Sequence, residues 1–408
     1  MPGPTASRLI LDELRGEVRL TRAELIERTG LSRSSVSGAV GELLSAGLVA
    51  EHTIQPAPDG RRPGRPVAGL SLTRAAGLVA AVEFGRDHMS VAVADMALRV
   101  LTERTVSIDA AGGKDVAGGR DGTDGRDAAG GRDAVLRAAE AQILSALTEV
   151  PEPQALLAVG MGLPAPILAA DGSVVSGPVL HGWAGSRPAA ELGDRLGLPV
   201  AIDNDANLGA LAEARLGAGR GARDMLYLTI SSGVGAGLVL DGRVHRGRHG
   251  VAGEIGHVPV AGAAGTGRAC RCGGLRCLET LASTTAILEA LEPSFGPLTV
   301  ARLVTLASSE SIVRRVLTDA GRAIGTVVGD LANTLDPAVI VLGGPLTEAA
   351  RPLLTGLRES LDRRTQPGVG DAVRLVPAAL GERAGVLGAL IIAAETAAVL
   401  ESGGEGNA

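Results

Sequence analysis

The sequence predicts an α/β protein built as two lobes, preceded by a small helical module that ends in a β wing. Two stretches carry the α/β reading: GLVAAVEFGRDHMSVAVAD (Gly77 to Asp95) and MLYLTISSGVGAGLVLDGRV (Met225 to Val244) are β-branched runs on either side of a Gly-containing turn. Each opens a block in which strands and helices alternate, which predicts a duplicated architecture with a ligand-binding cleft between the lobes. A third observation sets residues 1–74 apart. They hold ten Arg, no Lys and eight Asp and Glu, a formal +2 that leaves −8 on the rest of a chain whose net charge is −6.

Within that first module, Leu9, Ile10, Leu14 and Val18 recur at helical spacing and predict an amphipathic helix. Thr21 and Glu24 have the spacing of a capping box, and Gly30 ends the helix they start. Ser32 is placed to cap a third helix that buries Val36, Val40, Leu43 and Leu44 and leaves Arg33, Ser34, Ser35 and Ser37 pointing elsewhere. Two short helices around a Gly-containing turn, the second opening on Arg and Ser, match a helix-turn-helix whose second helix enters the major groove. DGRRPGRP (Asp59 to Pro66) follows as the wing, where Arg61, Arg62 and Arg65 suit phosphates or a narrow minor groove. The module therefore points to double-stranded DNA, and a two-fold homo-oligomer would present two such helices to an inverted repeat.

Between Asp109 and Asp133 the chain repeats Gly-Gly-basic-Asp, too polar and too Gly-rich to fold by itself. We read it as a disordered insertion before a helix from Ala134 to Thr148. Beyond it, ALLAVGMGLPAPI, GLPVAIDNDANLGALAEARLG and PAVIVLGGPL predict further strands, each leading into a turn or a helix. The longest apolar candidate, GALIIAAETAAVL, is broken by Glu395, so no span and a cytoplasmic location are expected. All three cysteines lie within eight residues, which argues for metal binding or catalysis rather than a disulfide framework.

GxxGEIGH (Gly250 to His257) followed by CxCGxxxCLE (Cys270 to Glu279) resembles the signature of the ROK family of repressors, open reading frames and kinases, as do IDNDAN (Ile202 to Asn207), LTISSGVGAG and LDPAVIVLGG. The resemblance implies an actin-like, two-lobed ATPase/sugar-kinase (ribonuclease H-like) fold. The preceding winged module looks like that of the family's transcriptional regulators. Domains follow as a winged helix-turn-helix (1–74), an N-terminal lobe (75–200, with the insertion at 109–133) and a C-terminal lobe with a zinc loop (201–385). A C-terminal helix then packs back on the N-terminal lobe before a flexible tail (386–408).

Three thiolates and one imidazole are a closed tetrahedral set, so His257, Cys270, Cys272 and Cys277 are expected to hold one structural Zn2+. By resemblance, Asn204, Asp205, Glu254, His257 and Glu279 form a sugar site, since carboxylates and amides share several hydrogen bonds with a polyol. Two positions depart from the family pattern. Pro164-Ala165 stands where Pro-Gly is usual, and Val179 where a sugar-contacting Asn is usual. A larger or modified saccharide is therefore an option for the ligand.

Kinases of this fold bring backbone N–H groups and a Thr to ATP through a turn like DxGGTK. Here the turn reads Glu83-Phe-Gly85-Arg86-Asp87-His88, with Asp87 adding negative charge, and the second turn, Ser231 to Gly235, is also altered. The reading is a sugar-responsive DNA-binding repressor of carbohydrate-utilisation genes, acting as a homodimer or homotetramer without enzyme activity. The alternatives are an ATP-dependent sugar kinase carrying a DNA-binding domain, with Asp205 as base, and a zinc-stabilised interaction module that has lost sugar binding.

Overall fold

Apolar residues at helical spacing and a reciprocal cap set the first elements. The computed structural model describes residues 6–15, 20–45, 47–54, 67–73, 77–85, 87–108, 125–151, 154–175, 182–260 and 268–403. Helix α1 (Ala6–Arg15) buries Ile10 and Leu14; strand β1 (Leu20–Thr21) leads into α2 (Arg22–Thr29). The capping box is present: Glu24 N–H donates to Thr21 Oγ1 at 3.2 Å and Thr21 N–H to the Glu24 carboxylate at 2.7 Å. Gly30 takes the left-handed conformation that ends α2. Helix α3 (Arg33–Ser45) is capped by Ser32, whose hydroxyl accepts from Ser35 N–H at 3.1 Å, and it buries Val36, Val40 and Leu43 while Leu44 is half-buried. Strands β2 (Val49–Ile54) and β3 (Val67–Leu72) pair antiparallel, and β1 adds to β3, giving the small sheet of a winged helix. The wing tip with Arg61, Arg62 and Arg65, and Val18 of the first helix, lie outside the described residues.

The first large sheet has the order β6-β5-β4-β7-β8, from β4 (Leu78–Phe84), β5 (His88–Asp95), β6 (Val100–Ser107), β7 (Leu156–Leu163) and β8 (Val200–Asn204). The first three form an antiparallel meander, and β7 joins β4 in parallel. Helix α4 begins at Gly125 and runs to Thr148, nine residues ahead of the onset expected at Ala134. The disordered insertion predicted for 109–133 is thus corrected over 125–133; residues 109–124 lie outside the described set. Local composition missed this because the anchors are distant. Arg132 Nε donates to Glu191 at 3.1 Å and Asp133 pairs with Arg195, both on α5 (Pro188–Leu196).

The second large sheet repeats the plan as β11-β10-β9-β12-β13. After α6 (Asp205–Leu216) come β9 (Met225–Ile230), β10 (Val234–Leu240) and β11 (Arg243–Val244), then α7 (Glu279–Ala282), α8 (Thr284–Phe295), α9 (Val300–Ser309) and α10 (Ser311–Leu335). Next are β12 (Val339–Gly343), α11 (Ala350–Arg364), α12 (Pro367–Ala372), β13 (Arg374–Pro377) and α13 (Ala384–Gly403). Both faces of this sheet are buried, and the two-residue period divides its side chains cleanly. Leu226, Leu228, Ile230, Ile340 and Leu342 join the core with α8 to α11, whereas Met225, Tyr227, Val339 and Val341 join Ala210 of α6.

The chain forms two compact units: residues 1–162, 187–202 and 389–408, and residues 163–186 and 203–388. A boundary near residue 200 would leave Leu163–Ser186 in the first unit; it belongs to the second. Two contacts hold it there. Ala169 N–H donates to the His249 carbonyl at 3.1 Å, and a Cβ on Gly250 would overlap the Ile167 carbonyl. In the first unit the backbone of α13 at Ala389 lies directly on Gly160 of β7, leaving no room for a side chain. Gly160→Ala is expected to lower the thermal midpoint by several degrees, by forcing this backbone contact apart. Gly41→Ala, on the exposed face of α3 with nothing within 4 Å of the new Cβ, should be neutral or stabilising by up to about 1 kcal/mol. Thermal and denaturant unfolding of both variants checks the pair.

Candidate functional site

The residues expected to form the sugar site and the metal set lie, where described, in the second unit, and backbone packing puts them there. The turn GEIGH rests on β10: Ala236 N–H donates to the Gly253 carbonyl at 3.1 Å, and Cβ atoms on Gly253 and Gly256 would overlap the Ala236 and Val234 carbonyls. Only glycine permits that approach, and Gly253 also has a φ of 94°. The one-turn 3-10 helix Ile255–His257 that follows delivers Glu254 and His257 side by side, with His257 Nε2 3.8 Å from Glu254 Oε2.

The other ring nitrogen faces the cysteines. His257 Nδ1 lies 3.5 Å from Cys270 Sγ, Cys272 Sγ lies 3.6 Å from Cys277 Sγ, and the four ligand atoms all fall within 4.8 Å of one another. A tetrahedral ion bound at about 2.3 Å to sulfur and about 2.0 Å to nitrogen would hold neighbouring ligands about 3.5–3.8 Å apart. The donor set and its spacing therefore fit one metal ion. Without a cation, the Cys277 thiol is pushed up to about 12, first by burial and then by the Cys272 and Cys270 sulfurs. Cys272 is exposed and is held low by the Gly274 N–H, 3.4 Å from its sulfur. The loop is otherwise clipped by single bridges, Pro259 to Cys277 and Ala269 to Leu275.

Glu279 joins this loop to the second Gly turn. Its Oε1 is 3.9 Å from Cys270 Sγ, and a Cβ on Gly233 would lie 2.8 Å from its Oε2. Asn204 and Asp205 come from the junction of β8 and α6. Asn204 caps α6, its Oδ1 accepting from Ala206 N–H at 2.9 Å, and its Nδ2 donates to the Ala165 carbonyl at 3.2 Å. That leaves the amide one hydrogen for a ligand and makes it the tether of the Pro164-Ala165 turn. Val179 lies outside the described residues.

Asp205 is the perturbed group. Its carboxyl is pushed up to about 6, first by burial and further by the Glu254 carboxylate, against the pull of the Ala206 N–H. Glu254 is also raised, by burial and by Glu279, while His257 opposes the shift. Glu254 thus interacts with Asp205, His257 and Glu279, so the predicted sugar residues form one constellation.

Sequence reasoning missed Asp203, whose carboxylate is 4% exposed beneath this constellation and bonded to Asn204, Asn207 and Arg246. It also missed Glu213, fully buried, which accepts from Ala218 N–H at 2.7 Å and Leu380 N–H at 2.8 Å. An acid within an apolar helix face was the available signal for Glu213. In the first unit, Gly85 N–H donates to the His88 carbonyl at 2.8 Å, closing the first turn, and the His88 ring covers Gly85. On α3, Arg33, Ser34, Ser35 and Ser37 are all exposed.

Two sheets of one strand order behind a winged helix-turn-helix define an actin-like α/β protein with a DNA-binding type of N-terminal module. Residues 132–396 match the ROK family model, and residues 4–62 match a MarR family model. The chain belongs to the ROK family. It is similar to the xylose repressor of Bacillus subtilis, with 26% identity covering 93% of this chain and 92% of that one. It is also similar to the glucokinase of Halalkalibacterium halodurans, with 34% identity covering 61% and 80%. A solved ROK family transcriptional regulator, a homolog of the E. coli MLC protein, superposes with a TM-score of 0.73 at 24% identity, covering 98% and 100%, and shows the same fold. Among the described residues no helix is long and apolar enough to cross a membrane.

Two outcomes follow from the site. Protein purified without chelator and kept reduced should carry one metal ion per chain by elemental analysis, and Cys272→Ser should lose most of it. A finding of no metal in the wild type would remove the metal reading. For Asp205, a raised carboxyl favours folding fully below its unfolded value, near 3.8, and loses that contribution as pH rises through about 6. Asp205→Asn should therefore raise the thermal midpoint above wild type at about pH 8, with the advantage gone by about pH 4. Melting curves across that range measure it.

Proposed function

We propose that this chain is a saccharide-responsive DNA-binding repressor of carbohydrate-utilisation genes. The observation that carries the reading is the joining of two parts in one chain: a winged helix-turn-helix with an exposed Arg33/Ser34/Ser35/Ser37 face, and a second unit in which Asp205, Glu254, His257 and Glu279 cluster with Asn204. Full-length similarity to a xylose repressor supports it. Direct readout falls to α3, with Arg33 the side chain suited to a guanine edge, while Arg61, Arg62 and Arg65 supply phosphate or minor-groove contacts. A homodimer or homotetramer would match an inverted-repeat operator.

The metal is zinc in this reading, since three thiolates and one imidazole suit it and leave no open position for a catalytic water. Its role is structural: it holds the loop between Glu254 and Glu279, whose stretch from Ala261 to Arg276 has almost no apolar residues. A Zn2+ so placed also fixes the ring of His257, whose Nε2 remains on the Glu254 side.

Absence of kinase activity is supported by the first turn, where only two residues separate the paired Gly85 and His88 and Asp87 adds a carboxylate. In the second turn Glu279 sits against Gly233, where phosphate would need neutralisation. The specific observation on the other side is the 34% identity to a glucokinase, together with Asp205 near 6, a value suited to a general base. ATP-dependent phosphorylation of glucose or xylose by the purified protein separates the readings.

A saccharide changes DNA affinity only by binding the DNA-competent and incompetent states differently, and such couplings run about 5–150-fold. Operator binding across a saccharide panel that includes D-xylose and D-glucose should show one sugar weakening the wild-type complex within that range. Glu254→Ala should bind operator as wild type does without sugar and lose the response. A Glu254→Ala protein that responds as wild type does would put the sugar site elsewhere.

A further inference from the structure

We infer that Asp203 and Arg246 are positioning residues of the saccharide site: their ion pair fastens the start of α6, with Asn204 and Asp205, to the loop that delivers Glu254. The inference rests on the saccharide reading above for its consequence, and on geometry for its existence. Asp203 Oδ1 accepts from Asn204 N–H at 2.8 Å and from Asn207 Nδ2 at 2.8 Å. Its other oxygen accepts from Arg246 Nε at 2.6 Å, across 43 residues of sequence. The carboxylate is buried and the guanidinium half-exposed, so the pair is sheltered on the side that matters for its strength.

The Arg246 end is anchored by its own main chain. The Arg246 carbonyl accepts from Ala252 N–H at 3.1 Å, closing a seven-residue loop, and the next residue, Gly253, is held by Ala236. Glu254 follows immediately. One carboxylate thus adds a side-chain tie between two elements that carry ligand groups and that β10 already places by main-chain packing. A displacement of about 1 Å between such groups is enough to spoil a polyol's hydrogen bonds.

The two ends of the pair can be cut separately. Asp203→Asn keeps an oxygen for Asn204 N–H and Asn207 but turns an amide donor toward Arg246, so it severs the Arg246 arm. Arg246→Gln removes the charge from the other side. Titration calorimetry with D-xylose and D-glucose as probes should show each single variant losing on the order of tenfold in affinity, with a thermal midpoint close to wild type. The combined variant should lose no more than the worse single one, because an amide pair can re-form the bond; Arg246→Lys should recover part of the affinity. Wild-type affinity in Asp203→Asn, or losses that simply add, would overturn the inference while leaving the Glu254→Ala result untouched. If neither probe binds wild type, hydrogen exchange in the unliganded protein decides: faster exchange at Ala252 in Asp203→Asn supports the tether, and unchanged exchange overturns it.

Discussion

Main-chain contact between the Gly253–Gly256 turn and the carbonyls of β10 is the constraint on which the site depends. Strand β10 lies inside a sheet buried on both faces, so the carbonyls of Val234 and Ala236 are fixed by the core rather than by the loop they support. Glu254, His257, the cysteines and Glu279 are all referred to that strand, while Asn204 and Asp205 come from the junction of β8 and α6. Glu254 and His257 stand on the turn itself, the cysteines complete a ligand set around His257, and Glu279 reaches back to Gly233 just before β10 begins. Because the contact is backbone to backbone, its precision does not require ordering long side chains.

Electrostatically the same compactness is unfavourable. Burial raises the carboxyls of Asp205 and Glu254, and the charge of Glu254 on the first and of Glu279 on the second adds to it. Opposing positive charge is nearby in the half-exposed guanidinium of Arg246, which answers Asp203, and the three sulfurs with His257 could hold a cation. Hydroxyl donors of a sugar would answer the remaining lone pairs without adding charge, which is a better match to this cluster than an anionic group would be.

Legibility in the sequence followed distance along the chain. The capping box of Thr21 and Glu24, the Gly30 stop and the Ser32 cap are three-residue or four-residue devices, and the structure has them all. β-Branched runs around Gly-containing turns marked the paired hairpins, and the recurrence of the same strand order explains why the two blocks read alike. The cluster of His257 with three cysteines was visible because its loop is short. What escaped was long-range. The start of α4 depends on Glu191 and Arg195, and the allegiance of Leu163–Ser186 depends on His249 and Gly250.

Asp203 shows why such positions escape. In IDNDAN it is one acid among three polar neighbours, and nothing local distinguishes it from Asp205, two residues away. Hydrogen bonding separates them. Asp203 spends its lone pairs on Asn204, Asn207 and Arg246, so it is satisfied within the protein and has little left for a ligand. Asp205 has the Ala206 N–H beside it and faces Glu254, so its charge is only partly answered. Two aspartates of one motif thus divide the work, one fixing the frame and the other left unsatisfied within it. In the saccharide reading proposed above, the ligand falls to the carboxylate that folding leaves incompletely bonded.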